Sequence, residues 1–261
     1  MVILQSPLLA GLAHGFTTRR GGASAGPFES LNLGGLVGDD PARVAENWAR
    51  LERETGLRFA RVRQVHGVRA VRAEAPSQPV EEADVVVSRA PGVAACVSVA
   101  DCVPILLADP VTGAVAAVHA GWRGTAANIA GVTVALLARE WDVDPAALIA
   151  AIGPSIGACC YVVGPELQTA FEQAGHDRAH LRRWFSRSGD GLVLDLWTAN
   201  RDLLEASGLA AANIHVAALC TKTHRQVFES YRAEGDQAGR MAAIIVAPPG
   251  HRSSALRATA P

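Results

Sequence analysis

Lysine is nearly missing from this chain. Among 261 residues Lys222 is the only one, and arginine supplies the other cations. Lys plus Arg total 24 against 25 Asp plus Glu, a formal net charge of −1. That balance lacks the basic face of a general nucleic-acid binder. The shortage of lysine beside abundant alanine reads as a GC-rich coding sequence and carries no mechanism. Long apolar runs are also missing. No uninterrupted stretch reaches the ~18 residues of a membrane span. The longest, around Gly92–Ala100, is broken by Ser98 and Asp101 and reads as a buried strand. The opening Met1-Val2-Ile3-Leu4-Gln5-Ser6-Pro7 has no basic n-region or long apolar core, so no signal peptide is expected. Five cysteines (Cys96, Cys102, Cys159, Cys160 and Cys220) are an odd count at irregular spacing, unlike a disulfide framework. These absences predict a cytoplasmic protein with reduced thiols, with neither a membrane nor a nucleic acid as partner.

What is present is apolar enough to fold. Hydrophobic residues make up 49% of the chain and charged residues 19%, which excludes a disordered polymer. No linker, repeat or interior charge run divides the chain. One domain is expected over residues 1–247, followed by a frayed, Pro-rich tail over 248–261. Strands are predicted at His14–Thr18, Arg61–His66, Ala83–Ser88, Val93–Ala100, Pro104–Ala108, Ala114–His119, Leu148–Gly153, Ile214–Cys220 and Ala242–Val246. Helices are predicted from Asp40-Pro41 to about Thr55, and over Thr125–Trp141, Pro165–Ala174 and Leu196–Ser207. Most strands do not alternate apolar with polar, which predicts a sheet covered by helices on both faces.

Polar residues at the ends of apolar strands are the first candidates for chemistry. His66 ends one strand, Cys102 follows another, and His119 ends a third. Two imidazoles and a thiolate suit zinc, and three protein ligands leave a fourth position open, as catalytic sites do. Spacing alone leaves two other readings open. One is a buried cysteine with ordinary hydrogen-bonded histidines; the other is a dyad with Cys102 as nucleophile and His119 as its base. The turn Gly121-Trp122-Arg123-Gly124-Thr125 joins a strand to a helix, and Arg123 offers a bidentate donor to an anion. Packing of the Trp and pairing of the Arg with an acid is the plainer account. Thr17-Thr18-Arg19-Arg20-Gly21-Gly22 and Leu31-Asn32-Leu33-Gly34 form a similar N-terminal loop. A third glycine-rich turn, Gly153-Pro154-Ser155-Ile156-Gly157, precedes Cys159-Cys160-Tyr161. Adjacent cysteines seldom bridge, so that pair reads as buried or wall-forming. His176 and His180, four residues apart, read as a solvated helix face.

Taken together, these motifs resemble one family. Gln64-Val65-His66, Ala100-Asp101-Cys102-Val103-Pro104, His119-Ala120-Gly121-Trp122-Arg123-Gly124, Ile152–Tyr161 and Ser230-Tyr231-Arg232 look like those of the bacterial YfiH laccase-domain family. The resemblance runs to about Val246. It implies an α+β, three-layer α/β/α sandwich with a large mixed β-sheet, similar to cysteine hydrolases. It implies His66, Cys102 and His119 as metal ligands, with zinc the usual metal and copper the reported alternative. Relatives often carry a second Cys after the Cys-Thr pair and an aromatic pair before Ser-Tyr-Arg. Here Thr223-His224 follows Cys220-Thr221-Lys222, and Glu229 follows Phe228.

The activity implied by the resemblance is phosphorolysis of adenosine, inosine, guanosine or 5′-methylthioadenosine, with deamination of adenosine beside it. A nucleoside and phosphate are then the expected partners, and a monomer the expected state. Cys102, His119 and Asp101 are the expected catalytic residues, with Asp101 a partner of the metal site or a proton carrier. Arg19, Asn32, Gln64 and Arg123 are expected to bind substrate or phosphate. Copper-dependent phenol oxidation is the family's older label. A four-copper site needs many His-x-His pairs, and none of the eight histidines makes one. Hydrolysis of a serine-containing cell-wall precursor is a third alternative.

Overall fold

The computed structural model describes residues 1–77, 81–189 and 191–248. The expectation of a frayed tail falls, from residue 249 onward, outside the described residues. In the first sheet β1 (Ile3–Leu4), β2 (His14–Thr17), β14 (Met241–Val246), β6 (Val93–Val99) and β3 (Arg58–Ala60) lie side by side in that order. The second sheet runs β13 (Ile214–Val216), β9 (Ile149–Ile152), β7 (Val103–Ala108), β8 (Val115–Ala120), β5 (Val85–Ser88) and β4 (Ala70–Arg72). A small third sheet holds β10 (Val162–Val163), β12 (Gly191–Leu194) and β11 (Phe185–Ser188). Both large sheets are mixed: β3 joins β6 in parallel and β13 joins β9 in parallel, while β8 runs antiparallel to β7 on one side and to β5 on the other. The helices are α1 (Pro41–Thr55), α2 (Trp122–Ala126), α3 (Ile129–Trp141), α4 (Pro165–Gln173), α5 (Arg178–Trp184), α6 (Leu196–Ala206) and α7 (Tyr231–Glu234).

The period-2 geometry of strands explains how the layers stack. Along β7, Val103, Ile105 and Leu107 point to one core, with Ile129 and Leu137 of α3 and Leu204 of α6. Leu106 and Ala108 point the other way and meet Val97 and Ile245 of the first sheet. On β14, Ala243 and Ile245 face that shared core, while Ala242 and Ile244 face Trp48 and Leu51 of α1. The protein is thus a single-domain α+β fold with a mixed β core and helices on both outer faces. The β core is two sheets stacked face to face, and alanines (Ala95, Ala108, Ala117, Ala151, Ala243) line much of the seam between them. Both faces of each sheet are buried, so their strands read as continuous apolar runs.

Local chemistry sets the boundaries. The Asp40 side chain accepts from Ala42 N, Pro41 opens α1, and Gly56 closes it at φ 68°. Three predicted elements differ. The strand expected over Ile214–Cys220 ends at Val216, ahead of Ala218 at φ 51°. The helix expected over Thr125–Trp141 is two, because Asn128 adopts φ 54° and its side chain caps α3 through Gly131 N. The strand expected over Arg61–His66 does not form: β3 ends at Ala60, and within that span only Arg63 makes an isolated bridge, to Glu82. The amides of Val65, His66 and Gly67 turn instead to the Asp84 carboxylate, at 3.3, 2.9 and 2.7 Å.

Candidate metal centre

The site forms where the second sheet ends. Because β8 is antiparallel to both β5 and β7, its C-terminal end lies beside their starts. His119, one residue before the end of β8, faces Pro104 across the ladder. Cys102 sits just before β7, on the turn that carries the chain from the first sheet to the second. Asp101 makes that turn at φ 80°. His66 comes from the loop after β3, at φ 60°, held there by the three amide bonds to Asp84. The ligand atoms of His66, Cys102 and His119 lie within 4.8 Å of one another. Cys102 Sγ is 3.9 Å from His66 Nε2, and the two rings meet edge to face at 4.8 Å. The three residues that sequence singled out are therefore brought together, two of them from loops.

Asp84 organises this arrangement. It is fully buried, and its Oδ1 lies 2.7 Å from His119 Nδ1. With Nδ1 donating to the carboxylate, Nε2 of His119 is the nitrogen left to face the other two ligands. Burial raises the Asp84 pKa, but its bonds with His119 and the Gly67 and His66 amides outweigh that and hold it below the usual carboxylate value. Burial by itself also raises the Cys102 thiol. The His119 charge and hydrogen bonds from both histidines overcome it, and the thiol falls to about 6. Against its own burial, His119 is raised to about 9 by Cys102 and Asp84. A thiolate beside two imidazoles is the donor set of a zinc or single-copper site. Gly121 keeps the space clear: a Cβ there would lie 3.0 Å from His66 Cδ2 and 3.1 Å from Cys102 Sγ. The residues present fit a metal ion.

The other expected site residues sit as follows. Asp101 accepts from Thr221 Oγ1 and from Arg232 N, both at 2.5 Å, tying the loop after β13 and the start of α7 to the turn that carries Cys102. Gln64 pairs with the Ser98 backbone through both ends of its amide, at 2.7 Å each. Asn32 is fully buried and binds Gly34 N, Arg240 N and Asp39. Arg19 spans the N-terminal loop and the segment after β13, donating to the carbonyls of Pro27, Glu29 and Arg225 and to Glu234. Arg123 is exposed, with its guanidinium 4.3 Å over the Trp122 ring.

Sequence reasoning missed Asp84, Tyr161 and Arg232 as parts of this neighbourhood. An acid at the mouth of Val85-Val86-Val87 was the available signal for Asp84, since a buried carboxylate needs partners. Burial pushes the Tyr161 phenol up to about 12, with the Cys102 charge adding to it and Arg232 opposing. The Arg232 guanidinium lies 4.9 Å over the Tyr161 ring.

A second cluster lies outside the triad. The sulfurs of Cys159, Cys160 and Cys220 are also within 4.8 Å of one another. Cys159 is exposed and Cys160 half-buried, so this pair is more open than a buried or wall-forming pair would be. Burial raises the Cys220 thiol, but the Gly157 and Thr223 amides and the Thr223 hydroxyl outweigh it and bring the thiol down to about 7. Of the two candidate helix-face histidines, His180 stacks on Trp184 at 4.9 Å and His176 bonds to the Ala126 carbonyl at 2.8 Å.

No helix among the described residues is long and apolar enough to cross a membrane. A family described as multi-copper polyphenol oxidoreductase laccase matches residues 13–248. The chain is 42% identical to a purine nucleoside phosphorylase of Deinococcus radiodurans, over 94% of this chain and 93% of that one. It is 36% identical to purine nucleoside phosphorylase YlmD of Geobacillus stearothermophilus, over 92% of each. The crystal structure of the Bacillus licheniformis hypothetical protein YfiH superposes with a TM-score of 0.88 at 30% identity, covering 94% of this chain and 96% of that one. The family match, the relatives and the shared fold, each extending over nine-tenths of the chain, place this protein in the YfiH laccase-domain family of purine nucleoside phosphorylase-like proteins.

Proposed function

We propose that this protein is a zinc-dependent purine nucleoside phosphorylase. It would split adenosine, inosine, guanosine or 5′-methylthioadenosine with phosphate, and deaminate adenosine at the same site. The observation that carries this reading is the convergence of His66, Cys102 and His119 over a buried Asp84. Relatives named purine nucleoside phosphorylase that match over nine-tenths of the chain support it. His66, Cys102 and His119 would hold the ion, which supplies Lewis-acid catalysis when bound. Asp84 fixes the ring of His119 and, through three amides, the loop of His66. Asp101 acts as a positioning residue, since one oxygen holds the Thr221 loop and the other the start of α7. Arg123, exposed beside the site, is the side chain proposed to meet phosphate. Arg19, Asn32 and Gln64 serve the reaction by holding the loops around it. Five cysteines at irregular spacing suit a reducing compartment, and we propose a cytoplasmic monomer.

The same donor set would accept one copper ion. The described residues offer one imidazole-bearing cluster, whereas a multi-copper oxidase needs several, so phosphorolysis is the preferred reading. The test uses protein of measured metal content, incubated with adenosine with and without phosphate, the products being separated by chromatography. Adenine and ribose 1-phosphate that appear only with phosphate are expected. Inosine formed without phosphate would establish the deaminase arm. No product from zinc-loaded protein would overturn the proposal and turn attention to amide hydrolysis centred on Cys102.

A further inference from the structure

Two loops of unrelated sequence are zipped together beside the metal centre. Ser155 and Cys220 form a parallel bridge, in which Ser155 N donates to Leu219 O at 3.2 Å and Thr221 N to Ser155 O at 3.0 Å. The turn that follows is closed by Cys160 N and Tyr161 N on the Gly157 carbonyl. Its closure turns Cys159 and Cys160 back toward Cys220. Their sulfurs stand 3.6 Å apart, well beyond a covalent bond, and all three lie within 4.8 Å. A metal bound at about 2.3 Å to each of three thiolates holds those sulfurs about 3.8–4.0 Å apart. The spacing therefore matches a shared ion better than a disulfide. Cys220 is 4% exposed and forms the floor, while Cys159 opens to solvent and gives an entry path. Lys222, the chain's only lysine, carries its charge close to Cys160 and offsets part of the negative charge that thiolates would bring.

We propose that Cys159, Cys160 and Cys220 form a second metal site, separate from the His66–Cys102–His119 centre, that takes a soft thiophilic cation, Cu(I) above all. Three sulfurs with no carboxylate or imidazole select such an ion over magnesium, calcium or manganese.

The reduced, metal-free protein is titrated anaerobically with Cu(I) against a coloured Cu(I) chelator. Wild type, Cys102→Ser, and Cys102→Ser combined with Cys159→Ser or Cys220→Ser are compared. Cys102→Ser is expected to keep one tight equivalent, whose X-ray absorption shows sulfur ligands only. Adding Cys159→Ser should weaken that equivalent at least a hundredfold. Cys159 is exposed, so this variant leaves the fold intact, which circular dichroism checks. Uptake that survives the loss of Cys159 and Cys220, or nitrogen ligands in the Cys102→Ser spectrum, overturns the site. Loss of titratable thiols on exposure to air, with no Cu(I) uptake beforehand, also overturns it and assigns the cluster to disulfide chemistry.

Discussion

Single side chains at the metal centre differ sharply in what they are asked to do. Cys102 supplies the one sulfur of this centre, and Cys102→Ala is expected to abolish zinc binding at the His66–Cys102–His119 centre, and turnover with it, while circular dichroism stays native. Full activity in a metal-free Cys102→Ala protein would sink the zinc mechanism. Asp84→Asn keeps the shape but loses the charge that orients His119, so zinc should bind about 10–100-fold more weakly, as competition with a chelator would show. Gly121→Ala places a methyl about 3 Å from His66 and Cys102, and metal affinity should fall with little change in melting temperature. Arg123→Ala should raise the KM for phosphate more than that for the nucleoside; equal losses would mark Arg123 as structural. Cys102 and His119 were legible in the sequence because polar residues beside strand ends stand out against apolar runs; His66 was singled out as the end of a strand that the structure replaces with a loop. Asp84 was not, because nothing local shows that a carboxylate 35 residues before His119 closes on its ring.

At the scale of elements, the departures from pattern are where side chains claim the backbone. Asn128 interrupts what reads as one helix, standing at φ 54° with its side chain on Gly131 N at 3.0 Å. Asn tolerates that region better than most residues, because its short side chain bonds locally. Asn128→Ala loses both the cap and that tolerance, so it should cost about 2 kcal/mol, read as a melting temperature lower by roughly 4–8 °C. The Arg61–His66 segment alternates like a half-buried strand, yet only Arg58–Ala60 pairs with β6. Its alternation comes from loop residues packing one by one, and the buried acid that captures the following amides is remote in sequence. Elements with strong end signals, such as α1 between Asp40-Pro41 and Gly56, match the expected boundaries.

Across the whole molecule, Glu229 joins the N-terminal loop to the segment before β14. Its side chain is fully buried, 3.6 Å from Arg19 and 3.0 Å from Gly239 N, with Glu234 nearby. Burial outweighs Arg19 and pushes its pKa up to about 7 from an ordinary 4.5. The folded state therefore holds a proton that the unfolded state has released. The contribution to stability is full below about pH 4.5 and is lost as pH rises through about 7, amounting to roughly 3 kcal/mol. Wild type should lose more melting temperature between pH 5.5 and 8 than Glu229→Gln does. Equal losses would mean that Glu229 stays ionised throughout. Composition and apolar patterning by themselves determined buried strands covered by helices on both faces, because burial leaves its mark on each residue separately; the α+β class came with the family resemblance. Only the tertiary structure decided that the strands divide into two stacked sheets, that Asp84 meets His119, and that Cys220 meets Cys159 and Cys160. Those are contacts between segments remote along the chain, and which of them form depends on which surfaces pack together.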